Sequence, residues 1–274
     1  MKTRVILRKI GFGLAILAVI AVWAFPFLWM FLGSLKPTQV IISTEIVWRF
    51  QPTLEHYRTI FMKYPFLRFI FNSFLVGFTV TAVTMVAGGL TAYGISRFDI
   101  GGKPFRLWIL LTRMLPSPVL VIPLFLLFRS LDLINTLTAL VIADTTFLLS
   151  FAIWILRSFF DEVPEALEEQ ALVDGGTRFQ ALVRVIMPLA RPGFITTSIL
   201  TFIFAWNEYL FALVFATATS VKTLPVAAGD FITGYAINWG PVFASGTLIV
   251  LPVFILSVFL QRYIVRGLTL GAIK

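Results

Sequence analysis

The sequence predicts an all-α, polytopic membrane protein with six transmembrane helices, and three observations carry that prediction. Hydrophobic residues make up 59% of the 274 residues and charged residues only 13%, about half the ~25% of a soluble domain. Mean hydropathy is +0.95. Several apolar runs reach the roughly 20 residues that a helix needs to cross a bilayer, more than a soluble core of this chain length could bury.

The elements follow in order. Met1 to Lys9 carries Lys2, Arg4, Arg8 and Lys9, and an apolar run follows from Gly11 to Leu32. A secretory signal has a shorter apolar core of about 7–15 residues, and no A-x-A site follows this one, so the run is expected to persist as the first span (11–32). Further spans are expected at about 71–96, 107–128, 135–156, 193–216 and 241–264, with residues 1–274 forming one transmembrane domain. Pro116, Pro118 and Pro123 in the third span, Gly88 and Gly89 in the second and Pro252 in the sixth mark bends or close helix contacts.

Lys and Arg in the connecting segments set the orientation. With the N-terminus in the cytoplasm, inner segments hold Lys2 to Lys9, then Arg97, Lys103 and Arg106, then Arg157, Arg178, Arg184 and Arg191, then Arg262, Arg266 and Lys274. Outer loops hold half as many, most of them in the first (Lys36, Arg49, Arg58, Lys63, Arg68). Both termini are therefore expected to be cytoplasmic.

The same placement explains the formal charge of +9: basic residues flank apolar segments and anchor them to lipid, so nucleic acid is not an expected partner. Cysteine is absent and His56 is the sole histidine, so no metal site is expected. His56 reads as a solvated residue on a polar loop. No cofactor is expected either, and the nearest approach to a phosphate loop, Gly101-Gly102-Lys103-Pro104, lacks the first glycine and the final hydroxyl. Any ATP must be hydrolysed by another polypeptide.

One connecting segment, 158–192, carries a specific message. It holds Asp161, Glu162, Glu165, Glu168, Glu169 and Asp174 and reads as two short helices. The first starts near Pro164, with acids complementing its N-terminal dipole. Asp174-Gly175-Gly176 ends it as a turn. Thr177 and Gln180 form a capping box for the second, which carries Phe179, Leu182, Val183 and Ile186 until Met187-Pro188 ends it. Apolar side chains on a short helix between spans need cover, either a groove in another protein or the membrane interface.

Glu169-Gln170-Ala171-Leu172-Val173-Asp174-Gly175-Gly176, followed by Val185-Ile186-Met187-Pro188 and Pro192, resembles the EAA loop of permease subunits in bacterial ABC importers. It departs from that pattern at Gln170, Gly176 and Met187. Gly33-Ser34-Leu35-Lys36-Pro37, Asn72-Ser73, Trp206-Asn207-Glu208 and the ending Arg266 to Lys274 are similar to the carbohydrate, maltose-type branch, so the resemblance runs along essentially the whole chain. It implies a bacterial inner-membrane location and a pore made with a second, non-identical permease subunit. It also implies an ATPase subunit dimer below, an extracytoplasmic solute-binding protein outside, and a small carbohydrate-like solute. The loop would be the coupling helix seated in an ATPase cleft, through Glu169, Ala171, Asp174, Gly175, Gly176 and Pro188. Gly175 would make the tight turn, with Phe179 and Leu182 as apolar plugs, and the tail from Arg266 would also touch the ATPases.

Arg113, Asp144 and Glu208 fall inside apolar stretches, where an ionisable group costs about 2.5–3.5 kcal/mol on insertion scales and usually faces a cavity or a partner. Asn207, Glu208, Asp144 and Arg113 are therefore candidates for the solute path. The alternatives are that they glue helices together, seat the outer loop or, for Arg113, snorkel to the interface. A secondary transporter driven by an ion gradient is the rival class, but it predicts inverted repeats, and none is evident.

Overall fold

The computed structural model describes residues 2–270, with side-chain surroundings over 9–261. Gly271 to Lys274 and the side chains of Lys2, Arg4, Arg8, Arg262 and Arg266, invoked above for orientation and for the tail, lie outside the described residues. In chain order the helices are α1 (Lys2–Ser34), α2 (Thr38–Ile41), α3 (Glu55–Lys63), α4 (Phe66–Phe98), α5 (Gly102–Met114), α6 (Ser117–Ser130), α7 (Leu137–Asp161) and α8 (Glu165–Val173). They continue as α9 (Arg178–Ala181), a π-helical turn Leu182–Ile186, α10 (Met187–Leu189), α11 (Arg191–Trp206), α12 (Leu210–Phe215), α13 (Leu224–Gly229) and α14 (Trp239–Leu270). Among the described residues the only β pairing is a single bridge between Ile232 and Ile237.

Four helices are long and apolar enough to cross a membrane alone, over Lys9–Ser34, Phe66–Phe98, Leu137–Asp161 and Trp239–Gln261, and two bent pairs raise the total to as many as six. The chain is a multi-pass membrane protein. The expected continuous span 107–128 is corrected: α5 and α6 meet at 95°, because Leu115 is extended (φ −68°, ψ 124°) ahead of Pro116, as a residue before proline tends to be. The expected span 193–216 is likewise interrupted, with α11 stopping at Trp206 and α12 starting at Leu210.

The chain forms two compact units, one from the segments up to Phe66 and Ala227–Leu251, the other from Leu67–Val226 and the segment from Pro252 onward. In the first, α1 shows Phe12, Val22 and Trp23 each about 70% exposed (69%, 72% and 74%). A helix apolar all round belongs in lipid or against another apolar chain. At its C-terminal end, Ser34 Oγ donates to the Phe31 carbonyl (2.6 Å) and pairs with Tyr57 Oη (2.8 Å), and Lys36 Nζ lies 4.6 Å from the Trp29 ring centre. Glu55 accepts from the Thr38 amide and hydroxyl, both at 2.9 Å, which holds its carboxyl below the usual range. His56 is corrected: it is buried on α3, with Nε2 2.8 Å from the Lys36 carbonyl and its ring where a Cβ on Gly240 would sit.

The second unit is built around α4, α7 and α11. Val76 and Val80 of α4, Leu140 and Ala143 of α7, and Phe211 and Phe215 of α12 share one buried cluster. Tyr93 of α4, Ile153 and Leu156 of α7, and Leu182 and Ile186 of the π turn share another. Thr136 caps α7, accepting from the Ala139 amide (3.2 Å). Asn72 donates to the carbonyls of Ser220 (3.1 Å) and Lys222 (3.0 Å), and Ser73 Oγ accepts from the Leu224 amide (2.8 Å), so the Asn72-Ser73 pair pins the segment after α12.

Gly88 brings α4 against α7, since a Cβ there would lie 3.3 Å from the Ala152 Cβ and 3.6 Å from Leu149 Cδ1. Gly88→Leu overpacks this contact and is expected to cost about 1–3 kcal/mol. A thermal scan of the purified protein should show a lower midpoint, and Gly88→Ala should show a smaller drop.

Candidate functional site

The segment that follows α7 is folded by local rules. Pro164 precedes α8, and Glu165 and Glu168 stand in its first turn. At its end the Gly176 amide donates to the Ala171 carbonyl and the Gly175 amide to the Leu172 carbonyl, both at 3.0 Å, the paired bonds of a Schellman cap. Gly175 takes φ +86°, a left-handed backbone that costs a residue with a Cβ. The capping box is present: Thr177 Oγ1 accepts from the Gln180 amide (3.2 Å) and Gln180 Oε1 accepts from the Thr177 amide (2.9 Å).

The helix beyond does not stop at Met187-Pro188, contrary to expectation. The Met187 amide reaches back to the Leu182 carbonyl in a π turn, and Pro188 sits in the first turn of α10, where its missing N–H leaves nothing unpaired. The chain turns only at Ala190. Leu182 is also corrected as a plug: it is 5% exposed and packs into its own bundle, whereas Phe179 is 69% and Val173 86% exposed.

What fixes the segment to the bundle was not singled out in the sequence. Glu168 is buried and accepts from Tyr93 Oη and from Arg97 Nε (3.1 Å). Arg97 Nη2 donates to the Val163 carbonyl (2.6 Å), and Nη1 lies 4.0 Å from Glu165 Oε1. Ser96 Oγ donates to Asp161 Oδ1 (2.5 Å), and Arg178 lies over Phe98, 4.7 Å from its ring centre. Tyr93, Ser96 and Arg97 occupy neighbouring turns at the end of α4 at the i, i+3, i+4 spacing that puts residues side by side, so one helix end bonds the end of α7, the link after it and α8. That spacing is visible in the sequence; the acid it selects is not.

The in-span charges come together elsewhere in the same unit. A cavity of about 340 Å³ is lined by Arg113, Ser117, Asp144 and Glu208. The Arg113 guanidinium lies 5.1 Å from the Phe151 ring centre. Glu208 caps α12, accepting from the amides of Phe211 (2.7 Å) and Ala212 (2.9 Å). Asn207 is exposed and donates to the Ile203 carbonyl (2.8 Å) at the end of α11, apart from the residues that line the cavity.

Close glycine contacts, broken spans and a bonded helical loop describe a multi-pass membrane protein, and the comparisons give its family. The chain belongs to the family described as binding-protein-dependent transport system inner membrane component, matched over residues 84–270. It is 40% identical over 255 residues to the trehalose transport system permease protein SugB of Mycobacterium tuberculosis, covering 91% of this chain and 92% of that one. It is 38% identical over 252 residues to the diacetylchitobiose uptake system permease protein DasC of Streptomyces coelicolor, with 91% of each covered. The trehalose/maltose transport system permease protein MalG of Thermococcus litoralis is 34% identical, with 96% of this chain and 95% of that one covered. Among solved structures, a chain of a bacterial ABC transporter involved in import of the polysaccharide alginate shares the fold, with TM-score 0.78, 23% identity and 93% of this chain covered.

Glu168→Ala strips a buried guanidinium (Arg97 side chain 5% exposed) of its hydrogen-bonded carboxylate and leaves only the exposed Glu165 at 4.0 Å, a loss of about 3 kcal/mol. Hydrogen exchange of the purified protein should show α8 amides exchanging at least a hundredfold faster. Gly175→Val is expected to cost about 1–2 kcal/mol through its backbone alone, read as a lower thermal midpoint.

Proposed function

We propose that the chain is a membrane-spanning subunit of an ATP-driven importer for a sugar or sugar-like solute, located in a bacterial inner membrane. The observation that carries this reading is its 34–40% identity, over more than nine-tenths of its length, to permeases named for trehalose, maltose and diacetylchitobiose uptake. On this reading α1, α4, α5 with α6, α7, α11 with α12, and α14 are six spans, and both termini are cytoplasmic. A second, non-identical permease completes the pore, a solute-binding protein delivers from outside and an ATPase dimer docks below.

The docking element is α8 to α10. Glu169, Ala171, Asp174, Gly175 and Gly176 shape its edge, Pro188 lies in its far turn, and Phe179 enters an ATPase cleft with Val173 beside it. Leu182 acts from the other face, tying the element to the bundle. Glu168 is a positioning residue: through Tyr93 and Arg97 it makes α8 and the end of α4 move together, so a displacement imposed by the ATPases reaches a spanning helix. An ion-gradient transporter has no use for a rigidly bonded cytosolic helix with an exposed apolar tip.

The test is uptake into proteoliposomes by the chain assembled with its partner subunits. Uptake of a labelled sugar should require ATP on the side of the membrane that carries the ATPase subunits and persist when ionophores collapse the ion gradients; ATP-independent uptake abolished by ionophores overturns the reading. Phe179→Ala should leave this chain's thermal midpoint unchanged, since the ring is exposed, yet lower ATPase co-purification by about tenfold or more, as loss of an interface anchor does.

A further inference from the structure

We infer that the cavity beside Asp144 is a solute subsite, and that it selects a neutral, hydroxyl-bearing ring with Asp144 as the hydrogen-bond acceptor. The inference rests on the importer reading above and deepens it by naming the chemistry of the cargo.

Two interrupted helices open on this one cavity. Arg113 and Ser117, either side of the break between α5 and α6, line it, and so does Glu208, in the break between α11 and α12. Non-helical backbone at membrane depth is tolerated where protein or a water-filled cavity surrounds it. Two breaks converging on one space therefore mark a place where polar contacts are needed within the bundle.

Asp144 is the second observation and points at a ligand directly. It stands on α7, is 3% exposed and lines the cavity, and among the described residues no donor bonds to its carboxylate. Its neighbour Glu208 differs, because two amides of α12 already occupy its oxygens. A buried carboxylate without a donor is costly, and such groups inside spans are kept where they bind or relay. A hydroxyl of a passing solute supplies the missing donor.

The remaining walls define the class of solute. Phe147, Phe151, Phe204 and Phe211 line the same space and offer apolar faces, which suit the C–H face of a sugar ring while a few placed polar groups orient it. Two carboxylates disfavour an anion, and Arg113 in the same wall disfavours a cation. The volume of about 340 Å³ lies at the low end of ligand pockets, about 300–1,000 Å³, so the subsite takes one ring at a time.

The experiment uses the assembled transporter in proteoliposomes with 14C-labelled glucose, trehalose and maltose as probes. Wild type should take up at least one with ATP, and Asp144→Asn, of equal size but uncharged, should raise KM for that sugar by about tenfold, the scale of a hydrogen bond to a charged group. A KM unchanged in Asp144→Asn, with wild type active, overturns the subsite and leaves the importer reading standing. Absence of ATP-dependent uptake of all three by wild type overturns the importer reading and the subsite with it. Since the chain has no cysteine, Ser117→Cys gives a second readout, independent of whether Asp144→Asn assembles. The transported sugar should block labelling of Cys at this position by N-ethylmaleimide, and glucuronate, an anionic pyranose, should not; equal labelling with and without the sugar overturns the subsite.

Discussion

The constraint on which the rest of the structure depends is that a backbone amide leaving a helix inside a bilayer finds no water there. Long stretches of this chain obey it by remaining helical, as α1, α4, α7 and α14 do. Where α5 gives way to α6 and α11 to α12, the freed groups must be met otherwise. Glu208 shows how: its carboxylate sits over the start of α12 and accepts two amides that have no helical partner, with the negative charge at the positive end of the helix dipole. Asn207 does the converse at the end of α11, its side-chain amide donating to the Ile203 carbonyl. The Trp206-Asn207-Glu208 run is therefore a splice between two helices, with one polar residue for each cut end.

That account separates the two acids that a reading by hydropathy treats alike. Glu208 and Asp144 both interrupt apolar sequence, and both line one cavity. Only Glu208 is occupied structurally, because only it stands next to a helix start. Asp144 lies well inside α7, away from any helix start, so it has no such end to cap, which is why we assign its bonding capacity to a solute.

Legibility in the sequence followed the range of the interaction. The Gly175 turn, the Thr177–Gln180 capping box and the start of α8 after Pro164 were legible because each is decided within about four residues by cap chemistry. The long apolar helices were legible from length alone. Pro116 was visible as a bend but not as a 95° break, since the angle depends on what packs on both sides. Pro188 misled because a proline ordinarily ends a helix, while a π turn immediately before it shifts the hydrogen-bond pattern so that its absent donor is never asked for. His56 misled for a different reason: its neighbours in sequence are polar, but the carbonyl of Lys36 and the bare backbone of Gly240 enclose it from a distance. The bonds from Tyr93 and Arg97 to Glu168 span 75 and 71 residues, and no local pattern chooses Glu168 over the acids around it.

The same long-range bonds explain why the loop has two unlike faces. A helix that only lay on a partner could expose its whole apolar stripe, and one that only packed on its own bundle could bury it. Here Leu182 and Ile186 are buried while Phe179 and Val173 are exposed, so the stripe is divided between the chain itself and whatever meets it. The coupling role we propose needs this division, because a push on the exposed face is lost unless the opposite face is fixed more stiffly than the contact being pushed. Apolar packing by itself is non-directional and would let α8 slide along α4. Glu168, held by a hydroxyl and a guanidinium whose other nitrogen is tied to the Val163 carbonyl, removes that freedom. Directional, charge-assisted bonds stand at the junction where, on the proposed reading, sliding would uncouple the loop from the spans.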